Sequence, residues 1–197
     1  MTSEATKFYV IDVARIPDKF PTHKHTAEFW VELGRCIATY GFLEETLGKA
    51  VFSFTATTEI NAEDHEAAYK AWLPKLKRAL SDPLGSLIAN YAKAVRDHQS
   101  PESGKFQELI GELQQMAIIR NVICHGSWGV PDSSGRSLPF FVNKNDETWQ
   151  IPIDLAYLRN LQVVTARLTI EVINTVTVHG WQFPGSGGPG KPIWPRP

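Results

Sequence analysis

The feature that most constrains the fold is a stripe of large apolar residues that recurs in alternating three- and four-residue steps. Its members are Trp30, Leu33, Ile37, Tyr40, Leu43, Leu47, Val51 and Phe54. This spacing places them on one face of an α-helix. We predict a helix from about Thr26 to Phe54, with Thr26 as its N-terminal cap. Gly34, Gly41 and Gly48 recur every seven residues along it, and we expect another helix to pack closely at these positions.

Similar periodicity and turn signals predict four further helices. They span about Asn61 to Leu80 with an interruption at Pro74, Asp82 to Asp97, Lys105 to His125, and Asp154 to Val178. Between the last two helices, turn residues surround two apolar runs, Leu138–Val142 and Thr148–Ile151, which indicate a small hairpin. The sequence therefore predicts an all-α bundle with a small β-hairpin insertion before the last helix.

The domain organisation follows from these elements. Residues 1–25 form an N-terminal extended arm, in which 7–13 are a short strand or part of the arm. Residues 26–180 form the helical domain, with the hairpin at about 128–151. Residues 181–197 are rich in glycine and proline, which predicts a flexible tail.

Composition limits the surroundings and the partners. A net charge of -1 provides no general basic field, so any contact with nucleic acid must be local. The two cysteines, Cys36 and Cys124, lie in helical runs without disulfide or zinc-site spacing, which favours a reducing cytoplasm. The chain begins without a signal pattern and has no apolar stretch long enough to cross a bilayer. We expect a cytoplasmic protein with no membrane partner.

The strongest candidate site lies at the end of the helix predicted over 105–125. Its polar face ends at Gln115, and the residues from Ala117 to Cys124 are apolar on almost every side. A helix end of this kind is expected to be enclosed, by the bundle or by a second subunit. Arg120 interrupts that apolar surface, and a desolvated guanidinium needs a partner or a ligand.

Asn121 and His125 are four residues apart and therefore share one helix face, where the amide can orient the imidazole. Arg120 lies about 140° around the helix from His125, but its length would let the two converge on a phosphate. Histidine transfers protons near neutral pH, and arginine binds two phosphate oxygens at once. RNA supplies its own 2′-hydroxyl nucleophile. The residues therefore suit phosphodiester cleavage without a metal or cofactor.

A purely structural role is equally consistent with the spacing. Arg120 can pair with a carboxylate of the first helix, Glu44 or Glu45. His125 can stabilise the C-terminal end of its helix, where positive charge is favoured.

The run Arg120-Asn121-Val122-Ile123-Cys124-His125 resembles the hallmark motif of the HEPN domain family, an arginine followed by a histidine near a helix end. Glu44 resembles an acidic position of the family's first helix. The resemblance covers the bundle but neither the hairpin nor the tail. It implies a homodimeric, metal-independent endoribonuclease, with His125 as general acid or base, Arg120 stabilising the phosphate and Asn121 supporting either.

The resemblance also implies a toxin or phage-defence role and a possible antitoxin or regulatory partner. Ser127 stands where members silenced by a nucleotidyltransferase antitoxin often carry tyrosine, so that mode of control is not expected. Two other classes of function stay open: a catalytically silent module that binds RNA or nucleotides, and a dimeric interaction protein whose arginine is structural.

Three further features of the sequence are weaker candidates for a functional role. His23 and His25 resemble half of a metal site, but we expect a solvated loop and no bound metal. Lys75, Lys77 and Arg78 form a compact basic patch that could guide RNA. Trp128 and Trp149 flank the hairpin and are expected to pack it onto the bundle.

Overall fold

A computed structural model describes residues 10–58, 61–79, 81–98 and 105–185. Within these ranges the chain forms five α-helices and a two-stranded antiparallel sheet. The helices are α1 Ala27–Ala56, α2 His65–Ala79, α3 Leu84–Asp97, α4 Phe106–His125 and α5 Leu155–Thr177. Short 3-10 helices span Val13–Arg15 and Ala62–Asp64. The predicted all-α fold with a small hairpin before the last helix is confirmed.

Helix α1 lies at the centre of the bundle and contacts each of the other four helices. Its predicted apolar stripe supplies much of the core, in which Leu43 and Leu47 are completely buried. Its most extensive packing is against α5, where Cys36 Sγ donates to the Leu158 carbonyl oxygen at 3.1 Å. Burial of this stripe against several helices removes apolar surface from water and stabilises the bundle.

The helices largely begin and end where the capping residues in the sequence predict. Thr26 Oγ1 accepts a hydrogen bond from Phe29 N at 3.3 Å, and Asp154 Oδ1 accepts one from Tyr157 N at 2.7 Å. The predicted interruption at Pro74 is wrong, because α2 continues through that residue. Pro74 and Lys70 are both exposed, so water can hydrate the carbonyl group that the proline leaves unpaired.

The hairpin exists, but its pairing differs from the prediction. Strand β1 (Ser127–Trp128) pairs antiparallel with β2 (Pro139–Phe140). The expected pairing of 138–142 with 148–151 is reduced to one bridge between Val142 and Thr148. A turn follows this bridge, in which the side chain of Asn143 accepts hydrogen bonds from the backbone N–H groups of Asn145 and Glu147.

The two ends of the chain depart from the expected arm and tail. Val10 to Asp12 form no strand, and 7–9 lie outside the described residues. At the other end, Trp181 packs against the core and Phe183 is 8% exposed. The beginning of the predicted flexible tail is therefore folded onto the bundle, because its aromatic residues have an apolar surface to cover. The remainder of the tail, 186–197, lies outside the described residues.

The spacing of glycines in α1 was also misleading. No atom of the described residues outside α1 itself lies within 4 Å of the position that a Cβ would occupy at Gly34 or Gly41, so none of the described helices approaches closely there. Gly48, by contrast, is buried. The seven-residue recurrence brings two of these glycines to an exposed face.

Both cysteines are free thiols, and no helix in the described ranges is long and apolar enough to cross a membrane. Cys36 is buried beside Leu158, and burial raises the pKa of its thiol to about 11. Burial also raises the pKa of the Cys124 thiol, next to the candidate site. Both side chains therefore stay protonated near neutral pH.

Candidate functional site

The three candidate side chains lie on the last two turns of α4. This helix ends at His125, as predicted, and Gly126 N closes it with a 2.8 Å hydrogen bond to the Val122 carbonyl oxygen. Val122 and Ile123 face the core and fix the rotation of this segment. Arg120 is consequently half-buried, whereas Asn121 and His125 are exposed.

Arg120 pairs with Glu44 of α1. Its Nη2 lies 3.1 Å from Glu44 Oε1, and the two side chains are 24% and 26% exposed. The pair is close but poorly aligned, because Glu44 Oε1 is buried without a hydrogen bond among the described residues. One turn earlier on both helices, Tyr40 Oη contacts Met116 Sδ at 3.9 Å. This packing register is what brings Glu44 opposite Arg120.

Arg120 opens onto a groove of about 840 Å³, which we call the Arg120 groove. Its charged lining consists of Arg120, Glu44, Glu45, Lys49 and Asp82. Lys49 Nζ lies 2.6 Å from Glu45 Oε1, so the positive charge of Lys49 is already paired within the groove. Carboxylates outnumber cations among the described lining residues, and an anionic ligand would have to displace Glu44 from the guanidinium.

Asn121 and His125 open onto a different groove of about 750 Å³, which we call the His125 groove. Its opposite wall is the hairpin segment 141–149, including Phe141, Lys144 and Trp149. No hydrogen bond or ion pair involving the His125 side chain occurs within the described residues. The imidazole is therefore accessible to a ligand, and it does not cap a carbonyl group of α4.

Arg120 and His125 thus do not line one groove in a single chain. The two side chains line different grooves, so the expected convergence on one phosphate does not occur in a single chain. Among the described residues, Asn121 links them, since its Oδ1 accepts a 3.4 Å hydrogen bond from Arg120 Nη1 while its side chain lines the His125 groove. The expected enclosure is also absent in one chain, where Ile118 is 49% exposed.

The basic patch lies away from His125. Lys77 and Arg78 occupy the exposed last turn of α2, and the side chain of Lys75 is outside the described part of the structure. Arg78 lines a third groove together with Asp82 and Asp97. The structure therefore does not bring these cations to the His125 groove, although Leu76 of the same turn lines the Arg120 groove.

The histidine pair near the N-terminus has a packing role. His25 stacks on Phe29 with ring centroids 4.4 Å apart, and Trp30 and Trp128 contact its edge. The expected solvated loop is therefore wrong for His25, and burial lowers the pKa of its imidazole. Within the described ranges, no three histidine, cysteine or acidic side chains lie close enough together to hold a metal ion.

Sequence reasoning missed the contribution of the hairpin to the site. Trp128 and Trp149 do pack against the core, as predicted. However, Lys144 and Phe141 were not connected with His125, although they face it across the groove. A usable signal existed, because β1 begins only two residues after His125, and a hairpin attached so closely must fold back near the helix end.

The chain matches no known family model, no curated protein and no solved structure. The resemblance to the HEPN family therefore depends on the motif of α4, on Glu44 and on the helical context alone.

Proposed function

We propose that this protein is a metal-independent endoribonuclease of the HEPN type, acting as a homodimer. The observation that carries the proposal is the accessible imidazole of His125, which has no polar partner among the described residues and lies beside Asn121, whose amide oxygen accepts from Arg120. An imidazole that is accessible and near a guanidinium supplies both a proton carrier and an anion stabiliser.

In the proposed reaction the RNA 2′-oxygen attacks the adjacent phosphorus and loses its proton to a base. The bond from phosphorus to the 5′-oxygen breaks, and that oxygen takes up a proton. The products are a 2′,3′-cyclic phosphate and a 5′-hydroxyl. His125 serves as base or acid, Arg120 stabilises the charge on the phosphate, Asn121 orients either group, and Glu44 positions Arg120.

The dimer is part of the proposal because one chain presents Arg120 and His125 to separate grooves. A second copy placed against the exposed face of α4 would bring its own motif close and complete the set. Ile118, one turn before Asn121, is an exposed apolar residue on that face and would be covered. A toxin or phage-defence role, an antitoxin partner and a cytoplasmic location belong to the same proposal.

The test is cleavage of end-labelled single-stranded RNA in the presence of a chelator. We expect the parent protein to produce cyclic-phosphate ends, and His125→Ala to slow cleavage by about 10²-fold or more. The matched control is His65→Ala, an exposed histidine on α2 outside both grooves. Sedimentation equilibrium measures the dimer in the same samples. Intact RNA across neutral pH, or unchanged cleavage by His125→Ala, would contradict the proposal.

The Arg120–Glu44 ion pair favours a second candidate, in which the arginine stabilises the fold and the protein binds RNA or a protein partner without cutting. Arg120→Ala distinguishes the two. A large drop in melting temperature with no cleavage by the parent protein supports the second candidate. An unchanged melting temperature with loss of cleavage supports the first.

A further inference from the structure

The His125 groove combines a ligand-sized volume with two walls of different chemistry. Its volume of about 750 Å³ is within the usual range for small-molecule sites. One wall is the exposed face of α4, and the other is the hairpin segment 141–149. Both walls are held by the short junction at Gly126, so the groove is a fixed part of the fold.

Most polar groups of the hairpin wall are already used by the hairpin itself. The Asn143 side chain accepts a hydrogen bond from Asn145 N within the turn, and its Nδ2 donates to Glu147 Oε2 at 2.8 Å. The Trp149 indole N–H donates to the Ile151 carbonyl oxygen at 2.6 Å. Lys144 differs, because it is exposed and no ion pair involving it occurs among the described residues. Its ammonium group is therefore available to an anionic ligand.

The same wall carries two half-buried aromatic rings. Phe141 and Trp149 are joined through their backbones by a 3.0 Å hydrogen bond from Trp149 N to the Phe141 oxygen. Both pack against the core on one side and line the groove on the other. Rings held in this way lose little conformational entropy when a flat ligand stacks on them.

We propose that the hairpin segment 141–149 forms a nucleotide subsite that holds one unpaired base of an RNA strand beside His125. The base stacks on Phe141 or Trp149, and Lys144 contacts a phosphate. Glu147 lies in the same lining, where its Oε2 already accepts a hydrogen bond from Asn143 Nδ2. This subsite rests on the proposed function for its substrate. It adds selection of unpaired strands, which the helical motif alone does not provide.

A base in a duplex has both faces stacked, so the subsite requires a single strand. Stacking on aromatic side chains tolerates any base, because every base has a π-face. We therefore expect a preference for unpaired over paired RNA, with little dependence on base identity.

The experiment measures binding by fluorescence anisotropy, with a labelled single-stranded octamer that carries 2′-O-methyl groups throughout. This probe lacks the nucleophile and cannot be cleaved by the proposed reaction. Lys144→Gln is expected to reduce the slope of log K against log salt by about 0.7, the value for one phosphate contact on a single strand. Lys24→Gln, an exposed lysine outside the groove, is the matched control and should leave the slope unchanged.

The contribution of the bases is tested with three competitors. An abasic octamer, a blunt duplex of the same sequence and polyglutamate should each bind at least about tenfold more weakly than the octamer, since stacking is lost in all three. Equal binding of the abasic chain or of polyglutamate would overturn the subsite, as would equal slopes for Lys144→Gln and the parent protein.

The outcomes separate the subsite from the proposed function. Octamer binding that depends on Lys144, together with intact RNA in the cleavage assay, supports the subsite and overturns the ribonuclease. Cleavage that depends on His125, together with octamer binding indifferent to Lys144, overturns the subsite and supports the ribonuclease.

Discussion

At the scale of single residues, Arg120 has an ion-pair partner but is not fully buried. It pairs with Glu44, but both side chains are about one quarter exposed and their contact is poorly aligned. Ion pairs with this much solvent access stabilise proteins only weakly. Because the contact is poorly aligned and partly solvated, we expect the pair to contribute little to stability and the guanidinium to be able to exchange its carboxylate for a phosphate.

This reasoning predicts the behaviour of Glu44→Gln. We expect the free energy of unfolding to change by no more than about 1 kcal/mol in urea denaturation. Affinity for RNA should rise, because the guanidinium loses its competing carboxylate. Glu66→Gln is the matched control, since Glu66 forms an exposed ion pair with Lys70 on α2 and lies outside both grooves. A loss of more than about 3 kcal/mol would instead identify a buried structural pair.

At the scale of elements, the junction between α4 and the hairpin determines the His125 groove. Gly126 occupies it with φ -69° and ψ 142°, which any residue can adopt. Glycine is needed there for space and not for a left-handed conformation. A Cβ at this position would lie 2.6 Å from the Val122 oxygen and 3.0 Å from Pro139 Cβ.

We therefore predict that Gly126→Ala destabilises the protein by about 1–3 kcal/mol, the usual cost of overpacking, and displaces β2 from β1. Gly111→Ala in the same helix is the control. No atom lies within 4 Å of a Cβ there, so the higher helix propensity of alanine should stabilise by about 0.5–1 kcal/mol. Urea denaturation measures both variants. Equal effects of the two substitutions would show that the junction is not tightly packed.

At the scale of the whole molecule, two histidines contribute aromatic surface to the packing around the bundle. His25 lies among Phe29, Trp30 and Trp128, and His179 lies beside Phe54 and Trp181. Burial lowers the pKa of both imidazoles, and His98 lowers that of His179 further. These contacts therefore favour the neutral rings.

This packing predicts sensitivity to mild acid. A histidine whose pKa is lowered by folding binds fewer protons in the native state, so stability decreases as pH falls through the unfolded value of about 6.5. Between pH 7.5 and 5.5 the free energy of unfolding should decrease less in His25→Phe than in the parent protein. Urea denaturation at both pH values measures the difference. An equal decrease in the free energy of unfolding of the parent protein and of His25→Phe would contradict the assignment of the acid sensitivity to His25.

The helices were predictable because their determinants are local. The stripe from Trp30 to Phe54, the caps Thr26 and Asp154, and the stop at Gly126 each act within a few residues. The interruption expected at Pro74 failed because the exposure of that turn, which lets water replace the missing hydrogen bond, is a tertiary property. The sequence left two possible partners for Arg120, Glu44 and Glu45. Which of them pairs with it depends on how α1 packs against α4, and the structure shows that it is Glu44.

By itself the sequence determined the helical class, the position of the hairpin in the chain, and the face that Asn121 and His125 share. The tertiary structure alone decided that Arg120 and His125 open onto separate grooves, and that Lys144 and the hairpin aromatics face the histidine. The physical reason is the range of the interactions. Periodicity and capping act within a few residues along the chain, whereas a groove is made by surfaces that meet only after the bundle has packed and the hairpin has folded back on α4.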